Sequence, residues 1–508
     1  MDETRGIGRW TAAALVLLLT WLALSAVDYW ARPRSFAGVV AAVLPPAGPR
    51  VQVWVSTADR QLRLAQQRDL IADAHDTGDA PVDVSIDLGH SYQSMTGFGA
   101  AITHASAWLL QNAMSAPQRA ALLHELFGPP PGLDFAMARI TIGASDFSLH
   151  HFTLDDMPAG ELDPDLTHFN TVVDQRDVVP VLRDILAIQP RLRIIASPWS
   201  APAWMKTSAN LISGSLLESD EATYANYLVR FVDAFRAYGI PIFALTVQNE
   251  PAFEPQTYPG MSLPSYARAR LIGQYLGPAL AGRTPATEIL GWDHNWDEPQ
   301  QPLSVLADPD ARRYISGIAW HCYRGNPAVQ STVHRAYPKK DAYLTECSGG
   351  DWPSARKNGE LLLFARNIIM MSIKHWSRGV VYWNLALDEN HGPHAGGCDE
   401  CKGVVTIDSA TGAVERNDEY YAFGHFSRFV RLGAVRVASE NTNAGIHEVA
   451  FRNPGDGSAV LVAVNGNADI NRLTVRQGKL RFTYDMPPAS VVTFVWPPDT
   501  TVPPPPRP

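Results

Sequence analysis

The sequence predicts an α/β protein built on a (β/α)₈ TIM barrel, with a β-sandwich side domain made from both ends of the chain. Between residues 95 and 430, eight short apolar segments alternate with stretches of helical periodicity. Residues 51–94 and 431–498 instead show polar and apolar alternation broken by turn residues, which is typical of antiparallel strands. Eight such β/α repeats, spread over about 335 residues, favour a closed barrel.

Each predicted barrel strand is a run of β-branched or small apolar residues that ends in a polar or aromatic residue. The eight segments are 95–102, 136–143, 192–197, 242–248, 288–292, 315–320, 342–345 and 379–383. The competing fold is the doubly wound open sheet, whose dinucleotide-binding form requires a glycine-rich phosphate turn after its first strand. Gly97-Phe98-Gly99 supplies only part of that motif.

The two ends of the chain differ from the rest. Residues 10–27 are mostly apolar and follow Arg5 and Arg9, so residues 1–50 are predicted to hold a targeting segment and a linker. A cleaved signal peptide and an uncleaved membrane anchor both remain open. Either predicts an exported protein that is periplasmic, extracellular or anchored to a membrane. Residues 499–508 are predicted to form a proline-rich disordered tail.

The charge balance argues against a nucleic-acid partner. The 508-residue chain carries a formal net charge of −9, whereas binding to phosphate backbones requires clustered Lys and Arg. No cofactor is predicted, and the oligomeric state is left open.

Two glutamates follow predicted strands at the end where a barrel places its active site. Glu250 lies in I-F-A-L-T-V-Q-N-E-P and Glu346 in D-A-Y-L-T-E-C-S-G. A retaining glycosidase needs two carboxyl groups in one active site, one as the acid/base and the other as the nucleophile, and two carboxylates at the same end of a barrel can supply them. The acid must hold a proton while the nucleophile is ionised, so their environments must push the two pKa values apart.

Seven motifs extend this interpretation. In chain order they are G-F-G-A-A-I-T, A-S-P-W-S-A-P-A-W-M-K-T, T-V-Q-N-E-P, I-A-W-H-C-Y, L-T-E-C, V-V-Y-W-N-L-A-L and G-H-F-S-R-F-V. Together they resemble glycoside hydrolase family 30, the glucosylceramidase-like retaining enzymes, over roughly residues 51–496. The resemblance implies a (β/α)₈ barrel with a β-sandwich, Glu250 as acid/base and Glu346 as nucleophile.

The same resemblance implies a set of sugar contacts. Asn249 would bind the sugar 2-hydroxyl, and Trp199 and Trp383 would form walls around the reacting sugar. His321 and Tyr323, in H-C-Y, would lie beside the nucleophile.

Two further residues complete the expectations for the sugar site. After G-F-G-A-A-I-T the family usually has Asp, but this chain has His104, which is expected to contact sugar hydroxyls differently and to alter specificity. Asp146 is expected to be structural, bonding loop amides in an Asx-type turn.

Four cysteines lie near the predicted site. Cys398 and Cys401 are expected to form a disulfide or to be free thiols; a zinc site with His391 and His394 is the alternative. Cys322 and Cys347 adjoin site residues on neighbouring predicted strands, but the sequence does not settle whether they pair.

These observations predict an exported, metal-independent retaining β-glycosidase of glucosylceramidase-like type acting on β-glucosides, with a carbohydrate or glycolipid substrate and possible membrane association through residues 10–27. Two alternatives remain. One is an endo-acting β-glycanase of the same family, directed at β-1,6-glucan, galactan or xylan. The other is a non-catalytic carbohydrate-binding envelope protein.

Overall fold

The computed structural model describes residues 48–498, apart from residue 79 and residues 354–358. The predicted targeting segment and the proline-rich tail lie outside this range. Within the described range, no helix combines the length and apolar character needed to cross a bilayer.

A closed barrel of eight parallel strands forms the centre of the chain. All eight predicted strands are present, so the predicted fold class is confirmed. The strands are β5 (Gly97–Ala101), β6 (Met137–Ile142), β7 (Arg193–Pro198), β8 (Ile242–Thr246), β9 (Glu288–Asn295), β10 (Ile315–His321), β11 (Asp341–Glu346) and β12 (Ser377–Tyr382). They are buried along nearly their whole length because helices cover the outside of the barrel.

The helices pack one apolar face against the barrel strands. In Glu221–Ala237, Tyr224, Leu228, Phe231 and Phe235 are buried at the spacing of a helical stripe. In chain order the helices are α1 (His104–Asn112), α2 (Ala116–Phe127), α3 (Val172–Arg176), α4 (Val178–Ile188), α5 (Glu221–Ala237), α6 (Ser265–Arg270), α7 (Gly277–Leu280), α8 (Gln300–Ala307), α9 (Pro309–Arg312), α10 (Val329–Ala336), α11 (Glu360–Leu362), α12 (Met371–Lys374) and α13 (Asp418–Ser427). Two π-helical segments, Leu271–Leu276 and Leu363–Met370, continue α6 and α11, and Ala203–Met205 and Glu218–Asp220 are short 3₁₀ turns.

The side domain is one hydrogen-bonded sheet of ten strands drawn from both ends of the chain. Its strands are β1 (Arg50–Thr57), β2 (Ala65–Gln66), β3 (Leu70–Ile71), β4 (Val84–Ser94), β16 (Val435–Asn441), β17 (Ile446–Arg452), β18 (Ala459–Asn465), β19 (Asn471–Gln477), β20 (Leu480–Met486) and β21 (Ser490–Trp496). The sheet encloses its own core, in which Phe482 of β20 packs on Phe494 of β21 with ring centroids 5.3 Å apart. Strands far apart in the sheet therefore face each other, as a sandwich requires.

Two features connect the mouth of the barrel to the side domain. A three-stranded sheet of β13 (Ala386–Asp388), β14 (Val405–Ile407) and β15 (Val414–Arg416) follows the last barrel strand. Helix α13 then leads towards the side domain, where its buried His425 hydrogen-bonds Ser56 Oγ at 2.9 Å and Thr493 Oγ1 at 2.8 Å. One imidazole thus joins the barrel helix to strands from both ends of the chain.

Candidate active site

The two glutamates singled out in the sequence meet at the carboxyl end of the barrel. Glu346 is the last residue of β11, and Glu250 lies four residues beyond the end of β8. One oxygen of each carboxyl group and one ring nitrogen of His321 all lie within 4.8 Å of one another. Glu250 has a left-handed backbone with φ of 48°, and its N–H donates to the carbonyl of Asp293 at 3.0 Å. This strained backbone is held by its surroundings and fixes the direction of the Glu250 side chain.

A fully buried arginine organises the floor of the site. Arg139, on β6, has no exposed surface and makes a short ion pair with Glu346 through Nη1. Its Nη2 donates to Asn249 Oδ1 at 2.7 Å and to Asp293 Oδ2 at 2.8 Å. Guanidinium donors are always charged, so Arg139 keeps negative charge on the Glu346 carboxylate favourable.

Asp293 balances this buried charge. Besides Arg139, its carboxylate accepts from Ser197 Oγ at 2.9 Å, Thr246 Oγ1 at 2.7 Å and Thr345 Oγ1 at 2.7 Å. Burial alone would raise its pKa, but Arg139 and the donated hydrogen bonds lower the pKa well below its ordinary value. Asp293 is therefore a permanent anion beneath the site.

Two histidines approach the same oxygen of Glu250 and differ in charge. His321 Nδ1 lies 3.2 Å from Glu250 Oε1 and its Nε2 lies 3.1 Å from Asp293 Oδ1. Burial opposes the charge, yet Glu346 and the hydrogen bonds to Asp293 and Glu250 raise the pKa of His321 to about 9. His294 Nε2 lies 3.5 Å from Glu250 Oε1, but burial lowers the pKa of His294. At neutral pH, His321 is the cation and His294 is neutral.

The electrostatics differ from the expectation for a resting acid. Burial raises the pKa of Glu250, but the His321 hydrogen bond and the positive charges of His321 and Arg139 outweigh burial, and the net direction is downward. A proton shared between Glu250 and His321 therefore rests mainly on His321 at neutral pH. The physical cause is the imidazolium, which stabilises the Glu250 carboxylate directly.

The donor set at the mouth does not suit a metal ion. Glu250, His321 and Glu346 have the spacing of a three-ligand site. However, both ring nitrogens of His321 face carboxylates, and Glu346 is already engaged by Arg139 and by Tyr323 Oη at 2.9 Å. A metal ligand must be a neutral imidazole with a free lone pair, which this protonated ring lacks.

An open pocket of about 570 Å³ lies above the two glutamates. Its lining includes both carboxylates, Asp146, Tyr323 and Trp383. The other lining residues are Phe253, Pro255, Gln256, Thr257, Tyr258, Ser348, Trp352, Gly397, Cys398 and Cys401. This size and mixture of aromatic and polar groups suit a carbohydrate segment.

The other predicted sugar contacts lie close to this pocket. Tyr323 is 43% exposed and donates to Glu346, whereas His321 is completely buried behind the carboxylates. Trp199 and Trp383 stack on each other with centroids 5.1 Å apart, and the Arg139 guanidinium lies 4.9 Å from the Trp199 ring. Asn249 is nearly buried and accepts from Arg139, which fixes the orientation of its amide.

His104 does not reach the pocket. It is the first residue of α1 and is buried, with Nε2 3.0 Å from Asp174 Oδ1 and Nδ1 near Thr141 and Ser148. Since protein groups occupy both ring nitrogens, the expected sugar contact is not available in this arrangement.

Asp146 lies where the sequence interpretation did not expect a functional group. It lines the pocket beside Gly397. Burial and the negative charges of Glu346 and Glu250 raise its pKa to about 8. They outweigh hydrogen bonds from the backbone amides of Phe147 and of Asp146 itself, which lower the pKa and agree with the expected bonding to loop amides. A buried carboxyl group that faces a pocket and has a strongly perturbed pKa is a candidate for a functional position. The only sequence signal was an acidic residue soon after a barrel strand; Arg139, a charge inside a buried apolar strand, was a clearer signal that was also missed.

All four cysteines are paired. Cys322–Cys347 joins the ends of β10 and β11, so it links the residues next to His321 and Glu346. Cys398–Cys401 forms part of the pocket wall. Of the alternatives for that loop, the structure has the disulfide. The thiolates that zinc would need are consumed, and His391 Nδ1 and His394 Nδ1 lie 3.1 Å from the backbone carbonyls of Cys401 and Gly396.

Comparison with known proteins agrees with this architecture. Residues 95–430 match the glycosyl hydrolase family 30 TIM-barrel domain, and residues 433–494 match the glycosyl hydrolase family 30 beta sandwich domain. An endo-1,6-beta-D-glucanase from Neurospora crassa is 33% identical, covering 91% of this chain and 97% of that protein. The lysosomal acid glucosylceramidase of Mus musculus is 30% identical, covering 80% of this chain and 81% of that protein.

A solved structure gives the same picture. The endo-beta1,6-glucanase BT3312 superposes with a TM-score of 0.82 at 32% identity, covering 89% of this chain and all of that one. The similarity therefore extends over both the barrel and the side domain.

Proposed function

The chain belongs to glycosyl hydrolase family 30, and from this premise we propose that it is an exported, retaining endo-β-1,6-glucanase. The observation that carries the proposal is the extent of its similarity to endo-1,6-β-glucanases, over 97% of one relative and the full length of one solved chain. The similarity to a glucosylceramidase is lower and covers less of both chains. We therefore propose β-1,6-glucan as the substrate, in place of the glucosylceramidase-like activity on β-glucosides that was expected first.

The proposed reaction is a double displacement. Glu346 attacks the anomeric carbon while Glu250 gives a proton to the glycosidic oxygen, which leaves with the departing glucan. Glu250 then removes a proton from water, and the water cleaves the glycosyl–enzyme ester. The separation of under 4.8 Å between one oxygen of each carboxyl group supports this mechanism, because inversion would need room for water at about 6.5–9.5 Å.

The surrounding residues are proposed to prepare each partner for its step. Arg139 and Tyr323 hold Glu346 as an oriented anion. His321 holds the proton that Glu250 must deliver, so acid catalysis should be favoured at acidic pH, where Glu250 itself is protonated. Asp146 and Asn249 offer polar groups for sugar hydroxyls.

Export is supported by the apolar segment at residues 10–27 and by the pairing of all four cysteines. Disulfides form and persist in oxidising compartments.

The test is product analysis on defined polymers. Purified protein is incubated with β-1,6-glucan, β-1,4-xylan and β-galactan, and with glucosylceramide in detergent. We expect a rapid fall in the chain length of β-1,6-glucan with release of mixed oligosaccharides, and proton NMR should show the β-anomer first. Glu346→Gln, which keeps the side-chain shape, serves as the inactive control.

Three results would contradict the proposal in different ways. Release of glucose alone would exclude endo action, and initial α-anomer would exclude retention. Faster cleavage of glucosylceramide than of the glucan would restore the glycolipid interpretation.

A further inference from the structure

A second pair of buried carboxyl groups lies behind the loop that follows the candidate nucleophile. Glu419, on α13, has no exposed surface, and Glu360, the first residue of α11, is 7% exposed. Neither residue lines the catalytic pocket. Both line a separate cavity of about 310 Å³ on the other side of the loop.

Both carboxyl groups converge on Gly349, because a Cβ on that glycine would lie within 2.5 Å of one oxygen of each. Two ionised carboxylates can only accept hydrogen bonds and repel each other, so a proton held between them would stabilise this buried arrangement. Burial and the neighbouring Glu360 carboxyl group both raise the pKa of Glu419, which agrees with a retained proton.

The pair touches the loop at its two glycines. The Gly350 N–H donates to Glu360 Oε1 at 3.0 Å. The Gly349 N–H donates to Tyr382 Oη at 2.7 Å, and the same hydroxyl lies 3.4 Å from Glu419 Oε1. A Cβ on Gly349 would lie 2.5 Å from Glu360 Oε2 and closer still to Glu419 Oε1, so the backbone rests directly on the pair.

Three consecutive residues, Glu346 to Ser348, connect the two glycines to the active site. Ser348, immediately before Gly349, lines the catalytic pocket. Cys347 precedes it, and its carbonyl accepts from the Trp383 N–H at 2.9 Å. Glu346 comes next, so a shift of the glycines would be transmitted to its carboxylate.

The charged groups facing the pair are already engaged elsewhere. Asp418 pairs with Arg60 at 2.9 Å, and Asp351 pairs with Lys402 at 2.5 Å and lies 3.8 Å from His391. Within the described residues, no N–H or O–H donor reaches Glu419 Oε2. Among the described residues, Arg60 interacts electrostatically with Glu419, but its guanidinium is paired with Asp418, so the second negative charge that full ionisation would create gains no direct ion pair from them.

We propose that Glu360 and Glu419 are positioning residues, which hold residues 348–350, and through them the candidate nucleophile Glu346, by sharing one proton. Loss of that proton places two like charges in contact beneath the loop and loosens it. The pair thus sets an alkaline limit on both stability and turnover. The effect on turnover rests on the proposed function, whereas the effect on stability does not.

The sign of the stability effect follows from linkage. In the unfolded chain both glutamates ionise near pH ~4.3. The folded protein retains one proton above that pH, so unfolding releases a proton and the folded state loses stability as pH rises. The loss amounts to roughly a tenfold change in the unfolding equilibrium per pH unit until the folded pair ionises.

The test compares wild type with Glu419→Gln, Glu419→Ala and Glu415→Gln. The amide of Glu419→Gln can donate to Glu360 without titrating, while Glu419→Ala removes the contact. Glu415 is exposed on β15, so Glu415→Gln is a matched control for the removal of one negative charge. Unfolding is followed in denaturant from pH 5 to pH 9, and kcat on an aryl β-glucoside is measured over the same range.

We expect the stability of Glu419→Gln relative to wild type to increase with pH, and the ratio of its kcat to that of wild type to rise in parallel. Glu415→Gln should follow wild type. Glu419→Ala should lose roughly tenfold in kcat at pH 6, about the value of one buried hydrogen bond, with a smaller change in KM.

Parallel pH curves for wild type and Glu419→Gln would overturn the proposal, and so would equal losses in Glu419→Gln and Glu419→Ala. If wild type cleaves neither the aryl β-glucoside nor β-1,6-glucan, the proposed function fails. The unfolding comparison then still decides whether the proton is shared.

Discussion

The charge on His321 is expected to control the pH at which Glu250, the proposed catalytic acid, loses its proton. His321 and His294 approach the same oxygen of Glu250, at 3.2 Å and 3.5 Å, but only His321 is charged at neutral pH. Replacing His321 by Asn places an amide nitrogen near the position of Nδ1, so a hydrogen bond to Glu250 can persist. The substitution therefore removes mainly the positive charge.

The magnitude follows from the kind of hydrogen bond that is lost. A hydrogen bond to a charged group contributes about 1.5–3 kcal/mol, roughly 1 kcal/mol more than a neutral one. Because the neutral hydrogen bond persists, only this difference of roughly 1 kcal/mol is lost, which should raise the pKa of Glu250 by about 0.7, since 1.36 kcal/mol corresponds to a pKa change of one. The fall of kcat/KM at alkaline pH reports the pKa of the catalytic acid in the free enzyme. This alkaline limb should therefore move to higher pH by about the same number of pH units as the pKa of Glu250.

The assay is the pH profile of kcat/KM on β-1,6-linked gluco-oligosaccharides, whose poor leaving group needs acid help. His294→Asn is the matched control, because removing a neutral imidazole from the same oxygen should move the limb by less than about 0.5. Circular dichroism and the thermal midpoint confirm that each variant is folded.

Two outcomes would refute the reasoning. If His321→Asn and wild type share the same alkaline limb, the imidazolium does not set the pKa of Glu250. If His294→Asn shifts the limb as far as His321→Asn, the assignment of charge to the two histidines is wrong.

Further predictions concern other parts of the site. Glu346→Gln should abolish turnover on aryl β-glucosides while leaving the thermal midpoint within a few degrees, and wild-type rates in this variant would disprove the nucleophile assignment. Arg139→Lys should lower kcat by roughly 10²-fold, because an ammonium cannot bridge Glu346, Asp293 and Asn249 together; an unchanged kcat would show that the bridge is not needed. Asp146→Asn should keep kcat/KM closest to wild type below pH ~8, where the amide and the protonated carboxyl group both donate a hydrogen bond, and should depart from wild type above that pH; a difference that does not change with pH would exclude its titration. His104→Asp should not raise activity on β-glucosides but should lower the thermal midpoint by placing a carboxylate against Asp174, at a cost of about 1–3 kcal/mol, and a gain in kcat/KM would return residue 104 to the sugar site.

The sequence was sufficient to identify the barrel strands and the two glutamates. Each strand is a short and almost uninterrupted run of apolar residues, because a parallel barrel strand is buried on both faces. That composition can be recognised in the sequence before the fold is known. Glu250 and Glu346 stand out because a carboxylate directly after such a strand must lie at the mouth of the barrel. These features are local, so one segment of sequence carries the whole signal.

At two positions the sequence did not give the direction of the side chain. His104 and Asp146 both follow barrel strands, yet the first turns into the protein towards Asp174 and the second faces the pocket. Their roles depend on the path of the chain after the strand, which is decided by packing against other loops.

The charge states are decided only by tertiary structure. Arg139, Asp293 and His321 come from three different strands, and none of their pKa values is set by sequence neighbours. Burial removes water from all three, so each charge is fixed by the partners that the barrel brings within about 3 Å. The sequence by itself determined the fold and the two carboxylates, because strand composition and position are local properties. Only the closed barrel determined which group holds the proton, because electrostatic energies depend on distances between residues remote in the chain.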